Sequence, residues 1–98
     1  MRLTLREIET IRRVTRKVFG EDAIVRLFGS RVDDKRRGGD IDLHVDASPA
    51  VADLKHELQF HLELIKALGE RKIDIVIHGR DTPVRPIDEV AEKRGCVL

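Results

Sequence analysis

Nothing constrains this chain more than the stretch Gly38-Gly39-Asp40-Ile41-Asp42-Leu43-His44-Val45-Asp46. Acidic or polar residues alternate with apolar ones, the period-2 pattern of a strand with one dry face. On such a strand Asp40 and Asp42 point one way, while Ile41 and Leu43 point the other. Two carboxylates side by side repel each other, and this destabilises the strand unless a cation sits between them. Hard oxygen ligands suit a divalent metal, and Mg2+ is the commonest intracellular choice. Upstream, Ile24 to Phe28 reads as a short buried strand and Gly29-Ser30 as the tight turn that ends it. Arg31, Lys35, Arg36 and Arg37 then make residues 31–39 a polar excursion between the two strands.

Length and composition narrow what such a strand can belong to. A chain of 98 residues suffices for one compact domain, and residues 1–98 are expected to form one. Charged residues make up 38%, yet the signs nearly cancel at a net charge of +1. A duplex nucleic-acid binder would carry a stronger basic excess. Three Phe with no Tyr or Trp leave no base-stacking platform, so nucleic acid is not expected as a direct ligand. Cys96 is the single cysteine and can close no internal disulfide, which suits a reducing compartment. The N-terminus is charged from Arg2 onward without the apolar core of a signal peptide, and no apolar run approaches membrane-spanning length. A cytoplasmic protein with no membrane partner is the expectation.

The remaining elements follow from periodicity and caps. Thr4-Leu5-Arg6-Glu7 is a capping box, and Ile8, Ile11, Val14 and Val18 repeat at helical spacing up to Gly20. This predicts an amphipathic helix over 5–19 whose arginines form a solvated face. Ser48-Pro49 reads as a second helix start and Gly69 as its stop, giving a helix over 49–68. Val51, Leu54, Leu58, Leu62, Ile65 and Leu68 form one apolar stripe of that helix, with Phe60, Leu64 and Ala67 beside it. So wide a stripe implies either deep burial or contact with another chain. Lys72 to His78 reads as a central, largely apolar strand interrupted by Asp74, and residues 86–94 as a last short helix. The order α-β-β-α-β-α predicts an α/β fold, a small mixed sheet flanked by helices.

Asp74 is a third acid in need of a reason. An aspartate amid Ile and Val is costly unless paired or bound to a cation. If its strand lies beside the Asp40–Asp42 strand, three carboxylates meet and can hold two metal ions. Metal ions so placed activate an attacking hydroxyl and stabilise a leaving pyrophosphate. The turn suits phosphates: Gly29 admits close backbone approach, Ser30 offers an N–H and a hydroxyl, and Arg31 adds charge. His44 shares the acid face and either approaches the metal or stands exposed at a strand end. His78, Gly79 and Arg80 close the third strand and border the pocket at most. His56 and His61 read as ordinary helix residues, and Cys96 as incidental.

Together these residues resemble the nucleotidyltransferase superfamily of the DNA polymerase β type. Its signature is a hydrophobic strand, Gly-Ser, a loop, a strand with Asp-x-Asp, and a later strand with a third acid. Here that is Phe28-Gly29-Ser30, nine loop residues, Asp40-Ile41-Asp42-Leu43 and then Asp74, a similarity covering residues 5–80. The brevity resembles the minimal nucleotidyltransferases (MNT), small prokaryotic proteins often paired with a HEPN-domain toxin. The resemblance implies a polymerase β-type fold, two Mg2+ ions held by the catalytic acids Asp40, Asp42 and Asp74, and ATP as substrate. It implies nucleotide binding at Gly29, Ser30, Arg31 and Gly39, and transfer of AMP to a tyrosine of the toxin, so that the chain acts as antitoxin. Gly39 departs from the pattern, since many relatives carry Ser just before the first acid. The helical substrate domain of the antibiotic-modifying relatives has no counterpart, so the acceptor is expected from a partner, with helix 49–68 as its contact. The alternative is a non-catalytic antitoxin or nucleotide-binding module that neutralises its partner by binding alone.

Overall fold

The computed structural model describes residues 3–29 and 41–98. Helix α1 (Leu5–Phe19) starts where the capping box places it: Thr4 Oγ1 accepts the Glu7 N–H at 3.1 Å, and Glu7 Oε1 accepts the Thr4 N–H at 2.8 Å. Strands β1 (Ile24–Leu27) and β2 (Ile41–Ala47) follow, then α2 (Leu54–Leu68), β3 (Ile73–Gly79), α3 (Pro86–Arg94) and the two-residue β4 (Cys96–Val97). Among the described residues this is a small mixed α/β fold of three helices and a four-stranded sheet ordered β3-β2-β1-β4. β1 pairs antiparallel with β2 and β4, whereas β2 and β3 are parallel, joined through α2.

The alternation along β2 divides the sheet into two unlike faces. Ile41, Leu43, Val45 and Ala47 are wholly buried on one face, with Val25, Leu27 and Ile73 from the neighbouring strands. Over them lie Ile11, Val14, Val18 and Phe19 of α1 and Phe60 and Leu64 of α2, so both long helices cover the same face. The Phe19 and Phe60 rings meet edge-on at 5.2 Å. The other face of β2 carries Asp42, His44 and Asp46, and α3 lies against it through Asp88.

Three expectations need correction, and one element was not foreseen. The second helix does not span 49–68 but begins at Leu54. The Ser48 carbonyl accepts the Val51 N–H at 3.0 Å, so Pro49 occupies the second position of a turn, which its fixed φ suits equally well. The true cap is Asp53, whose Oδ1 accepts the His56 N–H at 2.9 Å. The stripe of α2 is also divided: Phe60 and Leu64 are buried, while Leu54, Leu58 and Leu62 are 66%, 52% and 59% exposed. β3 is an edge strand rather than a central one, and Asp74 on it is exposed. Finally, the segment after α3 forms β4 against β1, pairing Cys96 with Leu27 and Val97 with Arg26. Two residues are too short for periodicity to reveal a strand.

This division of α2 has a measurable consequence. Phe60→Ala should lower unfolding stability by about 3–5 kcal/mol, the usual cost of emptying an aromatic core position. Leu62→Ala on the same helix should stay within about 0.5 kcal/mol of the parent. Chemical denaturation of the two variants checks this, and equal losses would contradict the assignment of faces.

Candidate functional site

The parallel register of β2 and β3 sets Asp42 directly opposite Asp74, so the two carboxylates leave the same face as cross-strand neighbours. Asp42 is half-buried and Asp74 exposed at the sheet edge. The sequence-based pairing of these acids is therefore realised, although the exposed Asp74 does not need a cation in order to be tolerated. Ser30, Arg31, Gly39 and Asp40 lie outside the described residues.

Gly29 completes the described part of the site. Its φ is +69°, a region that side chains disfavour, and a Cβ built there would stand 2.8 Å from Asp42 Oδ2. The turn thus brings bare backbone down onto the carboxylate, and the Phe28 N–H donates to the Asp42 carbonyl at 3.0 Å immediately before it. Asp42 and Asp74 offer hard carboxylate oxygens of the kind a divalent cation takes. Among the described residues no three His, Cys, Asp or Glu side chains converge on one metal position.

Further along the same face stands a buried polar network that sequence reasoning missed. His44 is neither exposed nor at a strand end: it is fully buried opposite Val76, and its Nε2–H donates to Asp88 Oδ1 at 2.7 Å. Its Nδ1 is buried with no hydrogen-bond partner among the described residues. Asp88 Oδ2 accepts the Arg85 backbone N–H at 2.8 Å and its Nε–H at 3.0 Å. Burial alone would raise the Asp88 pKa, but the Arg85 donors and then His44 hold it well below the ordinary carboxylate range. At the next rung, His78 opposite Asp46 donates from Nδ1 to Asp46 Oδ1 at 2.8 Å and from Nε2 to the Thr82 carbonyl at 3.1 Å. Both partners are acceptors, so the two contacts together favour the doubly protonated, charged ring. Burial works against that charge, yet Asp46, the Thr82 carbonyl and Asp88 together raise the pKa of His78. Arg26 Nη1 donates to Asp46 Oδ2 at 2.6 Å, and with His78 it outweighs burial and lowers the Asp46 pKa.

The signal for this network was present in the alternation. His44 and Asp46 share the face of Asp42, and His78 shares that of Asp74. What could not be foreseen was that α3 would lay Asp88 against them. The network borders the acid pair through Phe28, whose ring meets His44 edge-on at 6.2 Å, one residue before Gly29. Of the other residues considered, His56 bonds Asp53 at the α2 cap, and Arg80 reaches Asp22 at 2.9 Å. Neither joins the acid pair.

No protein-family model matches the chain, and no curated protein does so either. Among the described residues, no helix is long and apolar enough to cross a membrane.

Two outcomes follow from this geometry. Gly29→Ala must strain the backbone and displace Asp42, and it should lower stability by more than the roughly 0.4–1 kcal/mol by which Gly→Ala stabilises a compatible site; denaturant titration reads this directly. The second is a pH dependence. Asp46 and Asp88 sit below their ordinary 3.8, so the stability they contribute is present above that pH and is lost as pH falls through their lowered values. His78 sits above its ordinary 6.5, so its contribution is complete below that pH and is lost as pH rises through the raised value. The thermal midpoint should therefore decline on the alkaline side of about pH 6.5, and His78→Gln should remove that decline. An unchanged alkaline decline in the variant would assign it to another group.

Proposed function

We propose that the chain is a metal-dependent nucleotidyltransferase of the minimal, polymerase β-like kind, which moves AMP from ATP to a hydroxyl on a partner protein. The observation that carries this reading is the in-register pairing of Asp42 with Asp74, with the bare backbone of Gly29 held against Asp42. A tyrosine of a HEPN-domain toxin is the acceptor that the sequence resemblance favours, which would make the chain an antitoxin.

In this reading Asp40, Asp42 and Asp74 hold two Mg2+ ions, which when bound lower the pKa of the acceptor hydroxyl and neutralise charge on the departing pyrophosphate. The chain's own residues bind and orient. Gly29 holds bare backbone against Asp42 at the edge of the phosphate position, and the Ser30 N–H and hydroxyl donate to phosphate oxygens. Arg31 offsets phosphate charge. The acceptor oxygen forms a bond to the α-phosphorus, the bond from that phosphorus to the pyrophosphate oxygen breaks, and the hydroxyl proton passes to Asp74.

Incubating the protein with Mg2+, labelled ATP and the product of its neighbouring gene, followed by intact mass of both chains, tests the proposal. AMP units should appear on the partner. Asp42→Asn and Asp74→Asn should each reduce the rate about a hundredfold or more. A stable complex with no mass gain, formed equally well by the variants, would instead support the binding-module reading.

A further inference from the structure

The three exposed leucines of α2 lie in a groove rather than on a bulge. Leu54, Leu58 and Leu62 recur every fourth residue and open onto a concavity of about 1080 Å³ between α1 and α2, floored by Val14. All three are more than half exposed in a chain with a complete core beneath them. An apolar concavity of this kind marks an interaction site rather than incidental surface. The stripe rises about 12 Å along the helix, the reach of two to three turns of a docked helix.

The charge around the groove identifies what fits it. Arg13 and Lys17 line it from α1 and Lys55 and Lys66 from α2, against a single acid, Glu63. Glu63 is already engaged by Lys17 at 2.7 Å. A second copy of this chain docking face to face would bring this basic rim against its own image, which like-charge repulsion opposes.

We propose that the α1–α2 groove docks an amphipathic helix of a partner protein, seating that helix's apolar stripe on Leu54, Leu58 and Leu62 and pairing its flanking Asp or Glu residues with the basic rim. This deepens the proposed function, on which it rests for the partner's role as acceptor. The groove and the acids lie on opposite faces of the sheet: α1 and α2 cover the face of Leu43 and Val45, whereas Asp42 and Asp74 leave the other. A helix held there tethers its protein without covering the acid pair.

The test uses a fluorescein-labelled helical peptide of about five turns, with leucines at every third or fourth position and glutamates flanking them, and a twin with lysines for glutamates. Anisotropy should show saturable binding of the acidic peptide and binding at least about tenfold weaker for the basic one. Leu58→Asp, at an exposed position, should keep the parent's melting curve and weaken the acidic peptide about tenfold or more. The double variant Lys55→Glu and Lys66→Glu should reverse the preference between the peptides. Asp42→Asn should leave peptide binding intact, so that failure of the transfer reading is distinguishable from failure of this one. Absence of saturable binding, or equal binding of both peptides, overturns the proposal. So does self-association in sedimentation that Leu58→Asp abolishes, which assigns the groove to a second copy. Binding to phosphatidylglycerol-containing vesicles that requires the same leucine, without peptide binding, assigns it to a membrane surface and likewise overturns it.

Discussion

Because β2 is paired along both edges, by β1 on one side and β3 on the other, every residue it carries must be accommodated within the protein. Half of that demand is met by α1 and α2, which bury Ile41, Leu43, Val45 and Ala47 completely. The other half is harder, because the opposite face carries Asp42, His44 and Asp46. Buried charges of this kind persist only when each finds an opposite charge and a full set of hydrogen bonds. Asp88 of α3, itself held by the capping Arg85, meets His44, and Arg26 of β1 and His78 of β3 meet Asp46, while His44 Nδ1 keeps no partner among the described residues. The position of α3 is thus explained more by polar satisfaction than by apolar burial, since Asp88 and Ala91 are the buried residues it contributes.

Such a network favours one arrangement over others more than it adds net stability. Removing Asp88 would strand the Nε2–H of His44 in the interior, a larger loss than the attraction between the two represents. It also gives the turn at Gly29 a fixed foundation. Phe28 rests edge-on against the anchored His44, and its N–H is tied to β2, so the backbone that follows is held over Asp42 by packing on one side and a hydrogen bond on the other.

What was legible in the sequence is what depends on local pattern. The bounds of α1 follow from a capping box and a helical repeat, and the pairing of Asp42 with Asp74 from alternation on two strands joined by one helix. Less legible was anything set by competition or by distant contact. Ser48-Pro49 fits a helix start and a turn alike, and only the stronger cap at Asp53 decides between them. The apolar interior of β3 reads as central, yet α2 shields one of its faces while the strand ends the sheet among the described residues. His44 looks like a site residue because it follows Asp42. Its actual partner is more than forty residues away, on a helix whose docking no local pattern encodes.

The two faces of the sheet also bear on how the proposed transfer and the proposed docking would coexist in one domain. An acid pair repels an acidic helix, so docking such a helix beside Asp42 and Asp74 would weaken both, whereas a phosphate bound with its cations brings its own counter-charge. Placing the basic, leucine-lined groove on the far side of the core separates the two fields by the thickness of the sheet and the helices above it. The dry interior between them carries no ionisable side chain of β2, because alternation sends every one of those to the acid face. The same period-2 pattern that makes β2 a strand therefore keeps the acid pair apart from the leucine-lined groove.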